Sequence, residues 1–281
     1  MSLRISVKDK EGKQHQISVR IALYTPEELS YIQREFKEWI LGGGKKEDFI
    51  LTRRIPPELM PKAVLDSEKA HFREGSLQKD IVIPDNNCSS WGVIGSTRSG
   101  KSVAVTHLYE KYFKKHIPIL MTLSTQADIY SEFQKKAVIC EGFRKEMILE
   151  PMAINRATNN EYLFSVFIDD LIDNGKGAEA MTRLTCVGRN QGMSLVYAGQ
   201  RMTMLSATGR TNINFIMCFW LNTDTDIENC IKTYLKSYFP KGLTMSEMVA
   251  LYRHSTKDHH YLLYDTLKAE VWRGKIEYSG E

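Results

Sequence analysis

Eight residues limit what this chain can fold into more than any others: Gly95-Ser96-Thr97-Arg98-Ser99-Gly100-Lys101-Ser102, set between two apolar runs. They match the pattern G-x-x-x-x-G-K-[ST]. Residues 91–94, "WGVI", read as a buried strand entering the turn, and "SVAVTHLYEKYFKK" after it has the apolar spacing of a helix. A strand, a glycine-rich turn and a helix N-terminus together aim backbone N–H groups at one point, where phosphate oxygens can be held. The Lys101 ammonium can bridge β- and γ-phosphates, and the Ser102 hydroxyl can ligate Mg²⁺.

Such a unit needs a sheet beside it. From Asn86 onward short apolar stretches alternate with helical ones: "SWGVIG", "IPILMTLS", "AVICE", "LFSVFIDD", "MSLVYAGQ" and "NFIMCFWLNT". Several are continuous apolar runs, as expected of strands covered on both faces in a mostly parallel sheet. The expected class is therefore α/β. The ending "HYLLYDTLKAEVWRGKI" reads as an antiparallel hairpin.

The N-terminal part differs. "LRISVKDKEGKQHQISVRIALY" alternates around a charged turn and predicts a hairpin. "TPEELSYIQREFKEWILGGG" predicts a helix capped by Thr25 with Glu28, striped by Leu29, Ile32, Phe36 and Ile40, and stopped by Gly42, Gly43 and Gly44. The proline-containing stretch after it, residues 45–84, is polar and carries no firm pattern. The expected organisation is an α+β N-terminal region over residues 1–84 and a nucleotide-binding domain over residues 85–281.

Composition narrows the function classes. The formal net charge of +4 is only mildly favourable to a polyanionic partner. Five scattered cysteines, none in a C-x-x-C pair, suggest neither a zinc site nor a disulfide framework and fit a reducing compartment. The start "MSLRISVKDKEGK" lacks the apolar core of a secretory signal, and no apolar run reaches membrane-spanning length. The expectation is a soluble, intracellular protein with no transmembrane segment.

The remaining chemistry follows from what a bound triphosphate requires. "YLFSVFIDDLI" places Asp169 and Asp170 at the end of a buried strand. Adjacent carboxylates there repel and lose hydration, so a structural reason for the pair is weak. Asp169 is expected to serve Mg²⁺, and Asp170 to orient and deprotonate the attacking water. "GMSLVYAGQRM" ends another buried strand in Gln200. If that strand lies between the cradle strand and the Asp169 strand, Gln200 faces the γ-phosphate and can donate to it or position water. Arg189 in "CVGRNQGMS" and Arg210 in "SATGRTNINF" sit in polar turns from which an arginine could reach developing charge, often in a neighbouring subunit. No N-K-x-D guanine motif occurs, which favours ATP over GTP.

Taken together, the cradle "GSTRSGKS", the acids "FIDD", the segment "GRNQGMSLVYAGQ" and the segment "GRTNINFIMCF" resemble the FtsK–HerA superfamily of P-loop translocases. Within it they look most like the poxvirus-type genome-packaging ATPases of large DNA viruses and virophages. The resemblance covers residues 86–275. It departs from the family at Asn190, where histidine is common, and at Arg98, where many relatives have glycine. It implies a P-loop NTPase fold whose central sheet is of the additional-strand (RecA/FtsK-like) type. It further implies an ATP- and Mg²⁺-dependent translocase of double-stranded DNA that loads a viral genome into a preformed capsid. Capsid or vertex proteins would be partners, and copies would form a ring, a hexamer or similar. The site of action would be the virion or the host-cell cytoplasm. Arg210, followed after one residue by Asn212, would be the trans-acting or sensing arginine. Rival readings are a cellular translocase of the same superfamily, a small-molecule kinase, and a capsid scaffold that binds nucleotide without turnover.

Overall fold

The computed structural model describes residues 2–20, 26–46, 49, 72–77, 79–83, 88–125, 127–171, 177–202, 205–240 and 242–276. The chain divides into two compact units, Met1–His71 with Phe239–His254, and Phe72–Tyr238 with Ser255–Glu281.

In the first unit, β1 (Ser2–Lys8) and β2 (Gln14–Arg20) form the predicted antiparallel hairpin. Helix α1 (Pro26–Leu41) follows. Its stripe behaves as expected, with Phe36 and Ile40 buried alongside Ile5 and Ile17 of the hairpin, and Leu29 and Ile32 packed against that cluster. The helix closes where the glycines stand, with Gly43, at φ 84, donating to the carbonyl of Ile40. The expected cap Thr25, the side chain of Glu28 and most of residues 45–71 lie outside the described residues.

The second unit is built on a nine-stranded sheet. Its strands are β3 (Arg73–Glu74), β4 (Ser90–Ile94), β5 (Ile117–Thr122), β6 (Val138–Glu141), β7 (Phe164–Asp169), β8 (Met193–Gly199), β9 (Phe215–Cys218), β10 (His260–Asp265) and β11 (Glu270–Lys275). Their order is β3-β11-β10-β9-β4-β8-β7-β5-β6. The six strands from β9 to β6 run parallel, and β10 and β11 extend the sheet as an antiparallel hairpin. The apolar runs are explained by coverage: every residue of β4, β7, β8 and β9 is buried, while the edge strand β6 is partly exposed.

Connecting helices are α2 (Lys101–Leu108), α3 (Ser131–Gln134), α4 (Glu146–Ala157), α5 (Ala178–Val187), α6 (Ala207–Thr211) and α7 (Asp224–Cys230). Helix α2 continues through a π-helical turn, Tyr109–Phe113, so the predicted helix is one element with a widened second half. That turn delivers aromatic rings to the core. Tyr109 stacks on Phe133 at 4.4 Å, and Phe133 meets Phe167 of β7 edge-on at 4.8 Å.

The observed division differs from the expected one in two ways. It falls at 71/72 rather than 84/85, because β3 already pairs with β11 in the main sheet. Residues 239–254, expected within the nucleotide-binding domain, group with the first unit; most of helix α8 (Met245–Ser255) lies there.

Candidate active site

The parallel strands end at one edge, and the cradle follows β4 there. Two conformations shape it. Gly100 has φ 110, and a side chain at Gly95 would stand 2.3 Å from the Ser99 hydroxyl, so the loop folds inward only with glycine at both points. Arg98, exposed at the apex, has φ 63. That left-handed geometry favours glycine, and arginine here costs about 1–2 kcal/mol of backbone strain. The loop is tied to the neighbouring strand ends: Gly95 N–H donates to Gly199 O at 3.1 Å, Ser96 N–H to Trp220 O at 2.9 Å, and Asn222 N–H to the Ser96 hydroxyl at 2.9 Å.

Lys101 is buried, donates to Ser96 O at 3.1 Å and lies 3.4 Å from Asp170 Oδ1. The two acids end β7 in unlike surroundings. Asp169 is 1% exposed, whereas the Asp170 side chain is 52% exposed. Asp170 is also left-handed, with φ 50, and its N–H is held by Ala198 O at 3.1 Å. A non-glycine residue kept in that conformation marks a position the surrounding structure has fixed.

Burial raises the Asp169 carboxyl above its ordinary value, and the Asp170 charge adds to the rise; the hydroxyls of Tyr130 and Ser102 and the Lys101 charge pull it back. Oδ2 accepts from the Tyr130 hydroxyl, while Oδ1 is buried without a hydrogen-bond partner. A buried carboxylate with one oxygen unpartnered and the Ser102 hydroxyl close to it suits a hard divalent cation, which takes oxygen ligands. The donor set therefore fits Mg²⁺ with Ser102 and Asp169.

Strand β8 does lie between β4 and β7, paired in parallel with both. Gln200, the next residue, is exposed at the same edge as Lys101 and Asp170. On the other flank His259 reaches the loop, its Nδ1 3.4 Å from Ser99 O.

The arginines are elsewhere. Arg189 lies in the 3₁₀ turn Gly188–Gln191 that leads into β8, whose first residue pairs with the first residue of β7. It thus stands at the opposite edge of the sheet, roughly 20 Å of strand away from its own cradle. Asn155 of α4 fixes that turn, donating to Gln191 O at 2.7 Å and to Tyr162 O at 2.8 Å. Arg210 lies in α6, on the segment returning from β8 to β9, and donates to Leu205 O at 2.8 Å. Asn212 closes that helix, donating to Thr208 O at 2.9 Å. The structure thus gathers Lys101, Ser102, Asp169, Asp170 and Gln200, and leaves Arg189 and Arg210 outside the group.

Tyr130 and Thr122 are the residues the sequence did not single out. Thr122 ends β5 opposite Asp169 in register. The order of the strands would have found it; Tyr130 reads as one aromatic among many.

Comparison with known proteins places these features. The family model described as poxvirus A32 protein matches residues 87–273. No curated protein sequence matches. Among solved structures, B204, the DNA-packaging ATPase of Sulfolobus turreted icosahedral virus, aligns over 70% of this chain and 100% of its own, with 19% identity and a TM-score of 0.50. At that identity the likeness is one of fold. The genome packaging NTPase B204 of Sulfolobus turreted icosahedral virus 2, with ATP-γS, aligns over 67% and 98% with 17% identity and a TM-score of 0.45. EssC ATPases 2 and 3 from Geobacillus thermodenitrificans align over 67% and 39% with 9% identity and a TM-score of 0.46.

Proposed function

The chain belongs to the poxvirus A32 protein family, and from that premise we propose that it is an ATPase that drives double-stranded DNA into a viral capsid. The observation that carries this reading is the position of β8. Lying between β4 and β7, it ends with Gln200 at the same sheet edge as Lys101 and Asp170. That arrangement serves hydrolysis rather than storage of a nucleotide.

Backbone N–H groups of residues 95–102 hold the phosphates, and Lys101 moves from Asp170 and Ser96 to the β- and γ-oxygens. Ser102 and Asp169 would hold Mg²⁺, which supplies charge neutralisation on the phosphates. Asp170, exposed and released from Lys101 when phosphate arrives, takes the proton of the attacking water. Gln200 orients that water or donates to the γ-phosphate. Arg189 stands at the sheet edge opposite its own cradle; in this reading it acts on a neighbour's site, and copies work as a ring in which each hydrolysis senses the next subunit. Arg210 holds the loop that follows Gln200 and relays its position. DNA is gripped through its phosphates by lysines and arginines facing the ring's opening. Capsid or vertex proteins anchor the ring, and the work takes place where virions assemble in the host cytoplasm. Among the described residues no helix is long and apolar enough to cross a membrane.

The test is ATPase activity with and without double-stranded DNA. DNA is expected to stimulate the wild type, and Lys101→Ala to abolish both binding and turnover. Asp170→Asn is expected to keep nucleotide binding and lose at least about 100-fold in turnover. Turnover that persists in Lys101→Ala, or that ignores DNA, sinks the reading.

A further inference from the structure

We propose that Tyr130 is a positioning residue for the metal carboxylate: its hydroxyl holds Asp169 Oδ2 and so fixes the orientation in which that carboxylate meets the divalent cation. The inference rests on the ATPase reading and names a residue that reading does not use.

Tyr130 closes the short 3₁₀ turn Asp128–Tyr130. The turn is fixed to the cradle helix, because the Thr106 hydroxyl on α2 donates to Ile129 O at 3.0 Å. The ring is held as well, packing edge-on to Phe133 at 6.1 Å. Tyr130 is 3% exposed, so its hydroxyl is held within the protein. That hydroxyl donates to Asp169 Oδ2 and also lies in hydrogen-bonding reach of the Ser102 and Thr122 hydroxyls. Thr122 is itself fixed at the end of β5, opposite Asp169.

One carboxylate oxygen is therefore occupied by a donor locked through two elements, and the other, Oδ1, is buried with none. A carboxylate with a free χ2 samples many orientations; one clamped at Oδ2 keeps a single one. Groups that orient metal ligands in this way change metal affinity about 10–100-fold when removed. A tyrosine that instead occupied the cation's own place would have the opposite effect.

The experiment is a Mg²⁺ titration of the melting temperature, with a saturating non-hydrolysable ATP analogue, for wild type, Tyr130→Phe and Thr122→Val. Analogue binding without metal and the metal-free melting temperature are recorded for each. Tyr130→Phe keeps the ring and is expected to raise the Mg²⁺ concentration at half-effect about tenfold, leaving metal-free analogue binding unchanged. Thr122→Val, which spares Tyr130 and Asp169, is expected to shift it less, in the same direction. An unchanged or lower half-effect concentration in Tyr130→Phe overturns the proposal. A wild type whose analogue binding ignores Mg²⁺ overturns the ATPase reading with it.

Discussion

At the residue scale, the two acids of "FIDD" are chemically alike and physically opposed. Asp169 is enclosed, and its proton is held more tightly in the folded protein than in the unfolded chain. A carboxyl with a raised folded value contributes its full stability below the ordinary value of 3.8 and loses it as pH rises through the folded value. Metal-free protein should therefore weaken from about pH 4 upward through this group. Asp169→Asn should remove that slope, melting higher than wild type at neutral pH without metal, yet gaining nothing from Mg²⁺ and nucleotide. Melting curves across pH, with and without Mg²⁺, check both halves. Arg98 offers a separate case. Its left-handed backbone at the loop apex favours glycine, so Arg98→Gly should leave the melting temperature unchanged or raise it by about 1–3 °C. A clear fall would mean that the guanidinium has a partner the backbone argument leaves out.

At the scale of elements, the turn before β8 holds Arg189 at the edge remote from the cradle. Asn155, fully buried on α4, supports it with two donated bonds and accepts the N–H of Tyr162 at 3.2 Å. Asn155→Ala leaves those backbone groups without partners and should cost about 2–3 kcal/mol. Nucleotide binding, which depends on the other ends of the strands, should survive. A thermal melt paired with a binding isotherm tests this, and equal loss of both would show that the two edges are not independent. The same elements show what was readable beforehand. Strands β4, β7 and β8 announce themselves because burial on both faces demands continuous apolar runs. The left-handed turn at Asp170 and the 3₁₀ turn of Tyr130 leave no such mark, since neither depends on a repeating pattern.

At the scale of the whole molecule, Arg189 stands at the sheet edge remote from its own cradle, and under the proposed ring reading it serves a neighbour's site. Mixing Lys101→Ala with Arg189→Ala, each inactive alone, should restore activity at interfaces where both residues are intact, roughly a quarter of sites in a randomly mixed ring. No recovery, with mixed assemblies demonstrated, would remove Arg189 from the trans role. The two-unit division carries another expectation. Residues 239–254 group with residues 1–71, and Met248, Val249, Leu251 and Tyr252 are buried. Deleting residues 1–71 should thus expose apolar surface and lower solubility, as a detachable leader would not. By itself the sequence determined the cradle, the paired acids, the six parallel strands with the C-terminal hairpin, and the class of fold, because each is written in neighbouring residues through spacing, burial pattern and turn chemistry. Only the tertiary structure decided that β8 enters between β4 and β7, that Arg189 and Arg210 stand away from the site, and that Tyr130 clamps Asp169. Those are contacts between residues far apart in the chain, fixed by the order in which strands pair, and no local pattern encodes that order.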